Sequence, residues 1–182
     1  MPLATPRTWV VGEVVTAALM NAEIRDQLNT LTADDVTVRK SGDTTRASTT
    51  TMANDPDLTI GVVANGVYRL TGYIVYSQNL AASASSGIKI GWSGPALATM
   101  QWTSGGTDGP TSLTGQDVTS NSISQTRSLP SNLGTFMSAI PVGYLAVAGT
   151  AGSLSFQWAQ VASNATGTIV RAGSWINLRR IA

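Results

Sequence analysis

The sequence of 182 residues contains neither cysteine nor histidine. Without cysteine there can be no disulfide, no thiolate metal site and no cysteine nucleophile. Without histidine there is no Ser-His-Asp hydrolase, no imidazole acid or base and no His-ligated metal. Charge is scarce as well: 12% of residues are Asp, Glu, Lys or Arg, about half the usual share. Net charge is +1, too close to neutral for a protein that neutralises rows of phosphates. No run approaches the ~20 apolar residues that span a bilayer. The opening, Met1-Pro2-Leu3-Ala4-Thr5-Pro6-Arg7, has no apolar stretch behind a basic cluster, so no export signal is expected. What replaces charge is hydroxyl: 19 Ser and 24 Thr. A hydroxyl-rich exterior without an export signal fits a protein made in a cytoplasm and released within an assembled particle.

The charges are unevenly placed. Residues 1–50 hold eleven of the 21, whereas residues 90–170 hold only Asp108, Asp117 and Arg127. The expected organisation is an N-terminal arm, residues 1–33, and a body, residues 34–182. The arm contains one helix, over about 16–31. Thr16 is suited to cap it, and the run to Leu31 contains no Gly or Pro. Ala17, Met20, Ile24, Leu28 and Leu31 recur at spacings of three and four, forming one stripe of an amphipathic helix. Upstream, Trp9-Val10-Val11-Gly12-Glu13-Val14-Val15 is an apolar patch that needs a cover. Such a stripe packs on its own domain, on sister chains or on a docking partner. The expectation taken here is docking, with Trp9, Val11, Val15, Met20, Ile24, Leu28 and Leu31 as the contact residues.

Beyond residue 34 the pattern becomes short runs rich in Val, Ile, Thr and Tyr between Gly, Asn, Pro and Ser clusters. Strands are expected near 36–39, 49–52, 58–62, 67–77, 88–92, 98–103, 118–124, 135–139, 144–148, 154–160 and 168–181. Evenly spaced strands without intervening helices predict a mainly β fold, an antiparallel sandwich or jelly roll. No repeat period points to a solenoid.

Candidate sites are few. Asp55-Pro56-Asp57 lacks the third carboxylate of a calcium loop and reads as a turn before a strand. Asp34-Asp35 reads as the end of the helix. Gly91-Trp92-Ser93-Gly94 has neither elbow spacing nor a histidine to activate Ser93. Asp108 and Asp117 are the one carboxylate pair that glycoside hydrolysis would need. Asn164-Ala165-Thr166 is a sequon that matters only on secretion. Arg179 and Arg180 fall at opposite parity on a strand and so make no basic patch. No catalytic residue, metal or cofactor is expected, and neither nucleic acid nor membrane is an expected partner. A saccharide groove, if present, would be lined by Trp92 or Trp102. In Phe156-Gln157-Trp158-Ala159-Gln160, large aromatics alternate with glutamines, which fits a surface buried against identical neighbours. On that reading Phe156, Trp158 and Gln160 form a trimer interface. The same run also reads as a core strand with a polar outer face.

Two stretches carry a resemblance. The run from Arg7-Thr8-Trp9-Val10-Val11-Gly12-Glu13-Val14-Val15-Thr16-Ala17-Ala18-Leu19-Met20-Asn21-Ala22-Glu23-Ile24-Arg25-Asp26-Gln27-Leu28 resembles the opening of minor structural proteins of tailed bacteriophages, especially those of actinobacteria. The closing run, from Phe156-Gln157-Trp158 through Thr168-Ile169-Val170 to Trp175-Ile176-Asn177-Leu178-Arg179-Arg180-Ile181, is similar to their C-terminal strands. Together they cover about a quarter of the chain. The resemblance implies a body like the trimeric jelly rolls of the tumour-necrosis-factor and complement type. It implies a non-enzymatic virion protein, displayed outside the particle as a homotrimer and held by its arm. Its partners would be itself and a tail or major capsid protein. A minor tail protein and a capsid decoration protein satisfy the pattern equally, and a module binding host-surface glycan is the alternative.

Overall fold

The computed structural model describes residues 5, 7–83, 85–105 and 120–182, with residues 31–33 described by backbone alone. Among the described residues helix is confined to the start: α1 (Ala17–Met20), a π-helical turn (Asn21–Arg25) and α2 (Asp26–Asp34). Thr16 caps it through its Oγ1, which accepts from Leu19 N at 3.3 Å. The helix runs three residues past the expected end and stops at Asp34, where β1 begins with Asp35.

Thirteen strands follow among the described residues: β1 (Asp35–Arg39), β2 (Thr44–Arg46), β3 (Ala53–Val62), β4 (Val67–Gln78), β5 (Ile88–Ser93), β6 (Thr99–Thr103), β7 (Asn121–Ser122), β8 (Arg127–Leu129), β9 (Met137–Ala139), β10 (Val142–Ala146), β11 (Gly152–Gln160), β12 (Thr168–Val170) and β13 (Trp175–Arg180). Alternation decides which way each faces. In β4, Tyr68, Leu70, Ile74 and Tyr76 are buried while Arg69 and Tyr73 are exposed. Ile88, Ile90 and Trp92 of β5 meet Leu154, Phe156 and Trp158 of β11 in the same core.

The pairing is nested, and every pair is antiparallel. β1 lies against β13, β3 against β11, β4 against β10 and β5 against β8. Strands of the first half thus pair in reverse order with strands of the second, as in one long hairpin rolled up. Rolling adds the contacts β13·β4 and β11·β5 and divides the hairpin into two sheets. The larger reads β1-β13-β4-β10-β6-β7, with β12, β2 and β9 attached beside β4; the smaller reads β3-β11-β5-β8. This is a jelly-roll sandwich, mainly β, with one helical segment in front of it.

Several boundaries differ from the sequence reading. Residues 49–52 form no strand; β2 lies earlier and pairs with β12. The expected run 168–181 is two strands, separated by a turn in which Gly173 has φ +87°, a value open to glycine at little cost. β8 was not anticipated, and part of the expected 118–124 strand lies outside the described residues. Asp55-Pro56-Asp57 is not a turn. It lies inside β3, where Lys40 and the Trp158 indole N–H meet the Asp55 carboxylate. A partner distant in sequence thus overrides the local preference of Asp and Pro for turns.

Candidate functional site

The arm enters the structure at a small ordered turn. Glu13 N donates to Val10 O at 3.0 Å, and Gly12 supplies φ +84°. Arg7 pairs with the Glu13 carboxylate, and its guanidinium carbon lies 4.9 Å from the centre of the Trp9 ring. Arg7 N also donates to Glu23 Oε2 at 3.4 Å, tying this segment back onto the helix. Trp9, Val10, Val11, Val14 and Val15 all remain exposed.

The helix is turned against ordinary expectation. Met20, Ile24 and Leu28, the apolar stripe, face solvent. The partly covered positions are Leu19, Glu23, Gln27 and Thr30, three of them polar. A helix that packs on its own domain does the reverse. α2 meets the sandwich through β1 and β13. Of the expected docking residues, Trp9, Val11, Val15, Met20, Ile24 and Leu28 therefore lie together on one uncovered arm; the Leu31 side chain is outside the described residues.

The expected trimer-interface residues are elsewhere. Phe156, Trp158 and Gln160 have no exposure even in the single chain, so they present no side chain to a neighbour, and that assignment is corrected. Phe156 packs edge-on to Trp92, with ring centres 5.5 Å apart. Trp158 lies under Arg46, whose Cζ is 4.2 Å from its ring centre. Gln160 is saturated by its own chain: Nε2 donates to Thr166 O, while Oε1 accepts from the backbone N–H of Thr49 and Asn164. Arg46 lies on the core side of β11, over the Trp158 ring, and Thr50 O accepts from Lys89 Nζ at 3.0 Å on the outer side of the sheet, which alternation alone does not reveal.

Trp92 and Trp102 are likewise buried, with ring centres 6.1 Å apart and planes at 82°. They form core, not a saccharide groove. Asp108 and Asp117 lie outside the described residues. Among the described residues no group of three metal-ligating side chains converges.

Two features escaped the sequence reading. The first is a chemical difference between the outer faces of the two sheets. On the larger sheet the register aligns Arg39, Trp175 and Tyr73 in one row, Thr37, Asn177, Thr71, Val142 and Thr103 in the next, and Asp35, Arg179, Arg69, Tyr144 and Gln101 in a third. Tyr73, Val142 and Tyr144 are exposed there, and Ile140 lies just beyond β9. The smaller sheet instead carries hydroxyl and amide groups that satisfy one another: Thr59 with Ser155 at 2.9 Å, Ser93 with Asn54 at 3.0 Å, Gln157 with Asn54 at 2.9 Å. The second feature is an ion cluster around Lys40, buried with Asp55. Only the odd parity of Tyr73 and Tyr144 against their buried neighbours hinted at the first. Nothing local hinted at the second.

No protein-family model matches this chain, and no curated protein matches it. Among solved structures the matches are of low TM-score. Eiger TNF from S. frugiperda is 13% identical with a TM-score of 0.39, over 82% of this chain and 94% of the other. The tripod from the baseplate of bacteriophage Tuc2009 is 9% identical with a TM-score of 0.34, over 100% and 80%. The infectious bursal disease virus Gx strain is 10% identical with a TM-score of 0.30, over 81% and 36%. With every TM-score below 0.5, the jelly-roll assignment stands on the nested strand pairing of this chain itself.

Proposed function

We propose that this chain is a non-enzymatic bacteriophage virion protein, displayed outside the particle as a homotrimer and fastened to it by residues 1–33. One observation carries the reading: the arm helix turns Met20, Ile24 and Leu28 away from its own body. Burial of such side chains against a partner is worth ~1.5–3 kcal/mol each. Trp9, Val11 and Val15 add apolar area beside them. Three arms on one trimer multiply the hold without any new contact. The resemblance of residues 7–28 to phage minor structural proteins supports the same conclusion.

The threefold contact belongs on the larger sheet. Interface centres favour aromatic and other apolar side chains, and Tyr73, Trp175, Val142 and Tyr144 share this face, with Arg39, Arg69, Arg179 and Asp35 in the same rows. The smaller sheet, with its own hydroxyls paired, then faces outward and gives the particle a neutral, hydrated exterior.

A minor tail protein and a capsid decoration protein both fit this arrangement. Imaging virions with this protein labelled is the decisive experiment. Label on the particle exterior supports the reading, at head or tail. Virions that lack the protein altogether overturn it.

A further inference from the structure

Lys40 directly follows β1 and is held by its own backbone: its N–H donates to Ser174 O at 2.7 Å, and its carbonyl accepts from Gly173 N at 3.0 Å. The side chain then turns inward and is wholly buried. Its Nζ lies 2.9 Å from Asp55 Oδ1 and 3.4 Å from Asp57 Oδ2. The other Asp55 oxygen, Oδ2, accepts the Trp158 indole N–H at 3.0 Å, while Asp57 N donates to Oδ1 at 3.1 Å. Asp55 is as buried as Lys40, whereas the Asp57 side chain keeps a path to solvent. Arg46, over the face of Trp158, supplies a second positive charge, so two cations face two carboxylates.

We propose that Lys40 and Asp55 condense into an intramolecular amide, with Asp57 relaying the protons. The step balances internally. An ammonium and a carboxylate become one amide and one water; of the three Nζ protons, one remains on the amide nitrogen and two leave with Oδ1. Asp57 takes a first proton from Nζ, the freed lone pair attacks Asp55 Cγ, and that proton passes to Oδ1; a second Nζ proton then follows the same route, so that Oδ1 departs as water and the nitrogen keeps one. The Trp158 N–H stays on Oδ2 throughout, first on the developing oxyanion and then on the amide carbonyl, a donor aimed where charge accumulates. Fixing the two groups at contact distance replaces a bimolecular encounter by an intramolecular one. Condensation also removes a buried ion pair, whose desolvation is costly, and leaves Arg46 and Asp57 balanced in charge.

The bond would join the end of β1, in the larger sheet, to β3, in the smaller. β1 is the strand into which the arm helix runs without a linker. A pull on a docked arm would then load both sheets instead of peeling an edge strand from β13. That mechanical purpose rests on the docking role proposed above; the chemistry does not.

Intact mass of the denatured full-length chain tests the bond. Wild-type protein is expected to be lighter than its sequence mass by one water, and a protease digest should yield a branched peptide linking Lys40 to Asp55. Wild type at full sequence mass overturns the proposal. So does a missing water without the branched peptide, as a succinimide would give; Asp55 itself cannot form one, since Pro56 has no N–H. Lys40→Arg keeps the charge, cannot condense and should show its own full mass; loss of water from that variant also overturns the proposal. Asp57→Ala should leave most of the chain uncondensed, and condensation as complete as in wild type would overturn the relay. None of these readings depends on whether the arm docks, so the two ideas fail separately.

Discussion

Arg46 covers the face of Trp158, with its guanidinium carbon 4.2 Å from the ring centre. The two residues are 112 positions apart in the chain. The same guanidinium donates to the carbonyls of Ala53 at 2.9 Å and Asn54 at 2.7 Å, and to that of Trp158 itself. Burial lowers the pKa of Arg46 from its ordinary value, with the nearby Asp55 charge acting in the opposite direction. The core-facing ring of Trp158 is thereby covered by a residue of β2, a strand of the larger sheet. An aromatic strand that resembles a subunit interface is part of a single chain's core.

Trp158→Ala should therefore act on folding rather than on assembly. Truncating a buried Trp costs ~3–5 kcal/mol. Urea unfolding followed by circular dichroism should show that loss, and sedimentation of the folded fraction should show an oligomeric state like that of wild type. Dissociation to folded monomers without loss of stability would return Trp158 to the interface.

The arm should be dispensable for the fold. α2 touches the sandwich at β1 and β13, and the exposed stripe contributes no residue to the core cluster. Removing residues 1–33 should leave the β body folded, with a melting temperature close to that of the full chain, while abolishing incorporation into particles. Aggregation or unfolding of the truncated chain would place the helix in the core.

Assembly should depend on the larger sheet. Val142→Asp puts a charge in the uncharged middle row, between Thr71 and Thr103, where a desolvated, unpaired carboxylate is penalised, yet the position is exposed in the isolated chain. The expected result is a folded monomer by sedimentation. Ser155→Ala on the smaller sheet removes one hydroxyl pair with Thr59 and should leave the oligomer intact.

A pH dependence follows from Asp43. Its carboxylate accepts from Ala172 N at 2.7 Å and from Arg171 Nη1 at 2.8 Å. These hydrogen bonds, the backbone one first, hold its pKa below the ordinary 3.8. A lowered folded pKa contributes stability above the unfolded value and loses it as pH falls through the folded one. Asp43→Asn should therefore melt below wild type at neutral pH. The gap should begin to close as pH falls below about 4, where the carboxylate of the unfolded chain takes up its proton, and should close fully only below the lowered pKa of the folded state. Thermal melts at neutral and acid pH measure both, and a gap that persists in acid would assign it to shape instead.

Much was legible in the sequence because it is periodic. Alternation in residues 67–77, 88–92 and 154–160 marks strands and their buried faces, since successive side chains point to opposite sides of a sheet. Spacings of three and four between Ala17 and Leu31 mark a helix stripe, and Thr16 its cap. The absence of cysteine and histidine removes whole classes of chemistry outright. What tertiary structure decided is who covers what. Period 2 says that Phe156 and Trp158 share a face, not that Arg46 of the opposite sheet covers the Trp158 ring on that face. The helix pattern shows an apolar stripe, not that this stripe turns away from the body. Asp55 and Pro56 carry a local turn preference, yet they lie within a strand because Lys40 and Trp158, neighbours only in space, satisfy the carboxylate. Local propensity acts through neighbours along the chain, whereas burial and ion pairing act through neighbours across it, and only folding brings the latter together.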